Sequence, residues 1–354
     1  MIVYLPLITA FLATIIATPL SLIFIRRMGL FDDPKSHKHP GIIHKIPIPR
    51  GGGIPLVIGI FFGSIFFLPF SSITIALYFA LLFALFVGVL DDKFDISPYF
   101  RFLLNIIAAI IVVASGVAVP FITNPFDGIL NLDSVVFFSP FDTFNITASQ
   151  IIAVIWIVWV MNMLNWSKGV DGQMPGIVAI SAVIIGIVSM RYPLTEENTL
   201  IATTLSFAIA GSALGFLLYN FYPAKIFPGY GATALYLALA VVSVLSSSKL
   251  ATAILVMGVP MVDGAFTVVR RILTGRSPFW HDNKHLHHLL LSLGLGQRSI
   301  ALFYWGISAI LGTISLLLSS RGKMFAIIML IVLVGGALFF LHYALSHTND
   351  KKNI

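Results

Sequence analysis

Apolar runs long enough to cross a bilayer recur along nearly the whole chain, which leaves few folds open to it. A hydrocarbon core of about 30 Å takes about 20 apolar residues of helix. Only helices and closed barrels satisfy their own backbone groups there. The runs predict about eleven spans, at roughly 2–25, 53–70, 72–90, 102–122, 150–164, 174–190, 198–218, 231–247, 250–268, 300–319 and 324–345, the fifth and eighth being short. The expected fold is therefore an all-α polytopic membrane protein, one integral membrane domain over 1–354 with a short polar tail at 346–354. Composition agrees: 10% of residues are charged, against roughly 25% in soluble domains. The absence of cysteine removes disulfides, thiolate metal sites and cysteine nucleophiles. The first run ends in Arg26-Arg27 and lacks the basic start and small-residue cleavage site of a secretory signal, so it reads as a span.

Basic residues orient the helices, because cytoplasmic loops carry an excess of Lys and Arg. With the N-terminus outside, the inner loops and tail hold Arg26, Arg27, Lys35, Lys38, Lys45, Arg50, Lys93, Arg101, Lys168, Lys225, Arg270, Arg271, Arg276, Lys284, Arg298, Lys351 and Lys352. Only Arg191, Lys249, Arg321 and Lys323 remain outside. The loop over 123–149 has no Lys or Arg and belongs outside, and the tail is cytoplasmic. The net charge of +7 then speaks for topology and anionic lipid rather than nucleic acid, which is not expected as a partner. The chemistry-bearing residues fall on the same inner face. Apart from Asp263 the spans are nearly free of carboxylates, which speaks against a transport path through broken helices.

Five inner segments carry that chemistry, and each also has a bland reading. Asp91-Asp92-Lys93-Phe94-Asp95 places adjacent carboxylates where a cation is needed to hold them. A continuing helix would put Asp91 and Asp95 on one face. Mg²⁺ takes such oxygens together with substrate phosphates, whereas a solvated helix end needs no cation. Asn162 to Gly172 combines Asn165, Lys168 and Asp171 with two glycines, suiting a sugar or nucleotide, or simply an interhelical turn. Asn220 to Gly231 offers Asn220, Lys225 and the aromatic faces of Phe227 and Tyr230, for a base to stack on or for anchoring at the interface. Asp282 to His288 brings His285, His287 and His288 together, for metal or phosphate or as a polar helix start. Asp32 to Gly53 sets Lys45 and Arg50 beside a glycine run, for an anion or for topology alone.

Taken in order, the five segments resemble the polyprenyl-phosphate N-acetylhexosamine-1-phosphate transferases, glycosyltransferase family 4. The resemblance covers about residues 28 to 295. His44 to Gly53 resembles His-x-x-Pro-x-Pro-Arg-x-Gly-Gly, and Asp91 to Asp95 matches Asp-Asp-x-x-Asp. Asn162 to Gly172 resembles Asn-x-x-Asn-x-x-Asp-Gly-x-Asp-Gly, and Asn220 onward resembles Asn-x-x-Pro-Ala-x-x-Phe-Met-Gly-Asp. The family reaction moves a phospho-sugar from a UDP-sugar to a polyprenyl phosphate, undecaprenyl phosphate being the expected lipid, and releases UMP. It implies a plasma-membrane enzyme of cell-envelope glycan synthesis, with a homodimer left open. The resemblance further implies Asp91, Asp92 and Asp95 as catalytic residues, with Asp91 and Asp92 holding Mg²⁺ or Mn²⁺. Asn165, Asp171, Asn220 and Phe227 would hold the uridine part. The proline-rich loop looks like that of the simple-sugar branch rather than the branch using a MurNAc-pentapeptide donor.

Two positions depart from the pattern. The first Asp of Asp-Gly-x-Asp-Gly reads Lys168, and the Asp after Phe-Met-Gly reads Tyr230, a local change of three charge units. Lys168 is therefore expected to supply positive charge to the donor diphosphate. Two other readings compete: a catalytically silent relative that binds lipid phosphate or nucleotide sugar, and a transporter or flippase.

Overall fold

A computed structural model describes residues 4–35, 43–124, 128–141, 144–245, 250–280 and 282–350. Among these, thirteen helices run as α1 Leu5–Arg27, α2 Gly53–Ser64, α3 Ser72–Phe94, α4 Pro98–Val113, α5 Ala148–Trp166, α6 Gln173–Ser189, α7 Glu197–Asn220, α8 Thr233–Leu245, α9 Leu250–Val256, α10 Gly258–Leu273, α11 Leu286–Ser292, α12 Gln297–Leu317 and α13 Ser320–Asp350. Local sequence explains several boundaries. Pro6 and Pro98 sit in the first turns of α1 and α4, where the missing N–H costs nothing. The Ser71 hydroxyl accepts from the Thr74 N–H at the start of α3. Thr147 and Gln150 form a reciprocal capping box at the start of α5.

Six of the helices (α1, α3, α5, α7, α12 and α13) are long and apolar enough to cross a membrane. α9 and α10 together make a seventh candidate, bent by 85°. The break follows from Pro260, which has no N–H to donate to Val256 four residues back. Residues 250–268, expected as one span, fall on this bent pair. Four shorter apolar helices, α2, α4, α6 and α8, complete the bundle. Exposed Leu12, Ile16 and Leu20 on α1, Phe79, Leu82 and Phe86 on α3, and Val332, Leu333 and Phe340 on α13 are the outward surface that a bilayer solvates. The chain is thus a multi-pass helical membrane protein.

One further expectation needs correction. The fold is not all helix: three two-stranded antiparallel hairpins pair β1 Phe31–Asp32 with β2 Ile48–Pro49, β3 Phe121–Thr123 with β4 Ile129–Asn131, and β5 Val136–Phe141 with β6 Phe144–Thr147. Residues 346–350 of the expected polar tail are helical and extend α13 beyond its apolar span Ser320–Leu345. Lys38, Lys249, Lys351 and Lys352 of the charge-based topology lie outside the described residues.

Every residue of α8 is buried, as expected of a helix apolar all round. It packs against α5, α7 and α3. Its entry brings three backbones together: a Cβ on either Gly53 or Gly88 would collide with the backbone at Gly231. Glycine is the residue that permits such an approach. α3, α5 and α7 end, and α4, α6, α8 and α12 begin, around this same end of the bundle.

Candidate functional site

The acidic pair sits at the last turn of α3 and is buried, Asp91 to 1% and Asp92 to 9% exposure. Arg101, in the first turn of α4, donates from Nη1 to both Asp91 oxygens at 3.1 and 3.0 Å. The Ile96 N–H donates to Asp91 Oδ1 at 3.0 Å. Arg50 bridges the pair, its Nε at 2.7 Å from Asp92 Oδ1 and its Nη2 at 3.7 Å from Asp91 Oδ2. Burial works against the Arg50 charge, but Asp92 and Asp91 outweigh it and hold the guanidinium more firmly protonated than usual.

Arg50 reaches the pair because its strand is tied to the 220–231 loop. The Phe227 N–H donates to the Pro49 carbonyl at 2.8 Å, and the Gly52 and Gly53 N–H groups donate to the carbonyls of Phe227 and Pro228, both at 2.9 Å. The glycine run thus pairs with backbone rather than cradling an anion. The loop then turns through Gly229 at φ +66°, and the Tyr230 N–H donates to Asp92 Oδ1 at 2.8 Å. Asp92 Oδ2 is buried without a hydrogen-bond partner and faces Gly229, where an added Cβ would strike it.

Lys168 is half-buried and donates to the Gly229 carbonyl at 3.0 Å. Burial foremost, and then Arg50, lowers its pKa to about 8 against the pull of Asp92 and Asp91. The Tyr230 ring is close to two cations, 5.1 Å from the Arg101 guanidinium and 5.9 Å from the Lys168 ammonium. Asn105 Nδ2 donates to its hydroxyl at 3.0 Å. Burial pushes the phenol up to about 12, so it stays neutral.

The Asn165–Asp171 turn is knit to the same loop. The Gly172 N–H donates to Asn220 Oδ1 at 3.1 Å, Asn220 Nδ2 to the Ile226 carbonyl at 2.9 Å, and the Ala224 N–H to Asp171 Oδ2 at 2.9 Å. Burial raises the Asp171 pKa, opposed by that backbone donor and by His44. Asn220 and Asp171 thus serve as braces between loops in this state, while Asn165 Oδ1 is buried without a partner. His44 meets Phe227 edge-on at 5.1 Å.

Of the histidines, His287 packs onto Gly169, one residue from Lys168. Burial, reinforced by His288 and His285, drives its pKa well down. Its ring stacks parallel on His285 at 5.7 Å and lies 4.3 Å from His288. His285 Nδ1 lies 3.0 Å from Asp263 Oδ2, so Asp263 is engaged at the end of the bundle rather than alone in midspan. Asp95, Lys45 and Lys225 are exposed. α3 stops at Phe94, and Asp95 caps it in the left-handed region at φ 47°, so it does not share a helical face with Asp91. Arg101, read in the sequence only for topology, and Asn105 were not singled out as site residues, yet their i,i+4 spacing on an otherwise apolar helix is the signal that marks them.

The donor set is a poor fit to Mg²⁺ or Mn²⁺. Three of the four oxygens of the Asp91–Asp92 pair are held by cations or N–H groups, and the fourth abuts Gly229. Among the described residues no group of three His, Asp or Glu side chains is arranged to hold a metal ion.

Comparison with known proteins agrees with this geometry. The sequence model described as Glycosyl transferase family 4 matches residues 74–247, which take in the Asp91, Asn165–Asp171 and Asn220–Tyr230 segments. A probable undecaprenyl-phosphate N-acetylglucosaminyl 1-phosphate transferase of Bacillus subtilis is 28% identical over 92% of this chain and 88% of its own length. A decaprenyl-phosphate N-acetylglucosaminephosphotransferase of Mycobacterium leprae is 29% identical over 84% and 79%. An undecaprenyl-phosphate alpha-N-acetylglucosaminyl 1-phosphate transferase of Haemophilus influenzae is 28% identical over 96% and 91%.

Proposed function

We propose that the chain, similar to glycosyl transferase family 4 over residues 74–247 and to relatives of that activity over most of its length, is a member of that family, and that it transfers a sugar 1-phosphate, an N-acetylhexosamine 1-phosphate, from a UDP-sugar to membrane polyprenyl phosphate in cell-envelope synthesis. The observation that carries this reading is the buried Asp91–Asp92 pair clamped by Arg50 and Arg101, with Lys168 beside it. It lies at the end of an apolar bundle where a lipid phosphate and a soluble anion can meet.

An oxygen of the lipid phosphate attacks the sugar-bearing phosphorus. The bond from that phosphorus to the bridging oxygen breaks, and UMP leaves with the electron pair. A phosphate monoester has a second pKa of about 6 and is largely ionised near neutral pH, so it needs positioning more than deprotonation. Asp91 and Asp92 fix the two guanidiniums in that task, and charge on the phosphoryl oxygens falls to the cations around them. Phe227 is the stacking face for the uracil, with Asn165, Asp171 and Asn220 around it.

The membrane placement follows the same reading. The six long helices and the bent α9–α10 pair make seven candidate crossings; counting the four shorter apolar helices as well gives the eleven of this reading, with the N-terminus outside and the site on the cytoplasmic face of the plasma membrane. Tyr230 and Lys168 support one rival, a relative that binds the donor without turning it over. Purified protein in nanodiscs with undecaprenyl phosphate separates the two by UMP release across UDP-GlcNAc, UDP-MurNAc-pentapeptide and related donors. Release with a simple UDP-sugar supports the transferase; donor binding with no release across the panel favours the silent relative.

A further inference from the structure

We propose that this chain handles the diphosphate of its donor without a resident divalent cation, and that Lys168, flanked by Arg50 and Arg101, carries the charge a cation would carry. The inference deepens the transferase reading and rests on it for the identity of the anion.

The first support is charge balance. Two carboxylates, Asp91 and Asp92, face three cations, Arg50, Arg101 and Lys168, which leaves the cluster one positive charge in surplus. With carboxylates at positions 168 and 230, the same cluster would hold four negative and two positive groups, a deficit of two that one divalent cation neutralises. The two replacements therefore turn a site that attracts a divalent cation into one that repels it. A surplus of positive charge is what a diphosphate requires.

The second support is geometric. The Pro228–Gly229–Tyr230 turn closes over Asp92. The Tyr230 N–H takes Oδ1, and Gly229 covers Oδ2 so closely that a Cβ there would collide with it. The position where a third carboxylate would stand holds a phenol whose hydroxyl is engaged by Asn105. Its ring lies within cation–π reach of both Arg101 and Lys168, giving each charge an aromatic surface. The third support is that Lys168 donates only to the Gly229 carbonyl among its described hydrogen bonds and ion pairs, and so is the cation not committed to a carboxylate.

In the reaction, Lys168 stabilises the negative charge that the bridging oxygen gains as its bond to the sugar-bearing phosphorus breaks and UMP departs. Arg50 and Arg101, held by the acidic pair, face the phosphoryl oxygens of the two substrates.

The test uses full-length protein in nanodiscs, stripped with EDTA, and reads Mn²⁺ binding by electron paramagnetic resonance alongside UMP release. For the unaltered chain the expected results are no stoichiometric Mn²⁺ site and a rate in EDTA within about twofold of the rate in Mg²⁺. Loss of a catalytic metal worth several kcal/mol would cost about a thousandfold. The double variant Lys168→Asp/Tyr230→Asp is expected to gain at least about a hundredfold in Mn²⁺ affinity, the scale set by close charges at an effective dielectric near 20. One Mn²⁺ bound per unaltered chain, or UMP release abolished by EDTA and restored by Mg²⁺, overturns the inference and leaves the transferase reading standing. No release under any condition sinks the transferase reading instead, and the Mn²⁺ signal of the unaltered chain still decides the inference.

Discussion

At the scale of single residues, Lys168 sets a pH dependence whose sign can be worked out. Its pKa is lowered to about 8 from 10.5, so the free protein loses this ammonium as pH rises through about 8. If the ammonium holds the diphosphate, kcat/KM for the donor falls over that interval, since this parameter reports the free enzyme. Stability moves the other way. Between about 8 and 10.5 the unfolded chain keeps a proton that the folded chain has released, so stability rises with pH there. Lys168→Arg retains a charge that does not titrate in this range and is expected to remove the alkaline limb while keeping donor binding. A limb that stays in place in that variant assigns it to another group. Sequence alone singled out Lys168 as a cation where the family pattern has a carboxylate, but not its place near Asp91 and Asp92. It could not reveal that Tyr230 meets Arg101 and Lys168 together, because Arg101 and the hydroxyl's partner Asn105 approach from a different helix.

At the scale of elements, the segment from α10 to α11 depends on one carboxylate. Asp282 accepts from Arg270 Nη2 at 2.6 Å and from Arg271 Nη2 at 3.2 Å, and Arg271 also donates to the Pro278 carbonyl. Burial alone would raise the Asp282 pKa, but the two arginines hold it down to about 2. Its contribution is therefore complete above the ordinary carboxylate range and is lost as pH falls through about 2. Asp282→Asn leaves the buried Arg271 short of its counter-charge, at a cost of about 3 kcal/mol, the low end for breaking a buried pair. Denaturant unfolding at neutral pH should show that loss, with the His285–Asp263 contact loosened because the same loop delivers it. A variant as stable as the unaltered chain would place the restraint elsewhere. The end of α1 was legible because Arg26-Arg27 is a local signal, whereas the start of α5 was placed at 150, inside the helix, because the Thr147–Gln150 capping box went unread. The α9–α10 bend was not read, because Pro260 sits in an apolar run whose composition matches one continuous span. The hairpins at 121–147 were also missed, since a loop free of basic residues was read for its side of the membrane and not for its strands.

At the scale of the whole molecule, geometry separates the two ends of the bundle, and charge is what assigns the proposed cytosolic one. The charge account rests on Lys and Arg clustering in loops that sequence alone assigns to one side. The geometric account rests on helix direction. α5 begins at Thr147, beside the β5–β6 hairpin, and ends at Trp166, beside Lys168. Its 19 residues span about 28 Å at 1.5 Å per residue, so the hairpins and the site lie at opposite ends of a membrane-length helix. α4 runs the reverse course, from Arg101 at the site toward the β3–β4 hairpin. The hairpin end has no Lys or Arg over 123–149, whereas the site end gathers Arg50, Arg101, Lys168, Arg270 and Arg271. The hairpins also expose Ile129, Val136, Phe137 and Phe138, apolar groups that rest readily at a bilayer surface. Because the chain has no cysteine, a single introduced thiol reports without background. In intact cells, Asn131→Cys should react with a membrane-impermeant maleimide, and Lys284→Cys should react only after permeabilisation. Reaction at Lys284→Cys from outside would invert the bundle, put the diphosphate site away from cytosolic nucleotide sugar, and so remove the donor from the proposed reaction.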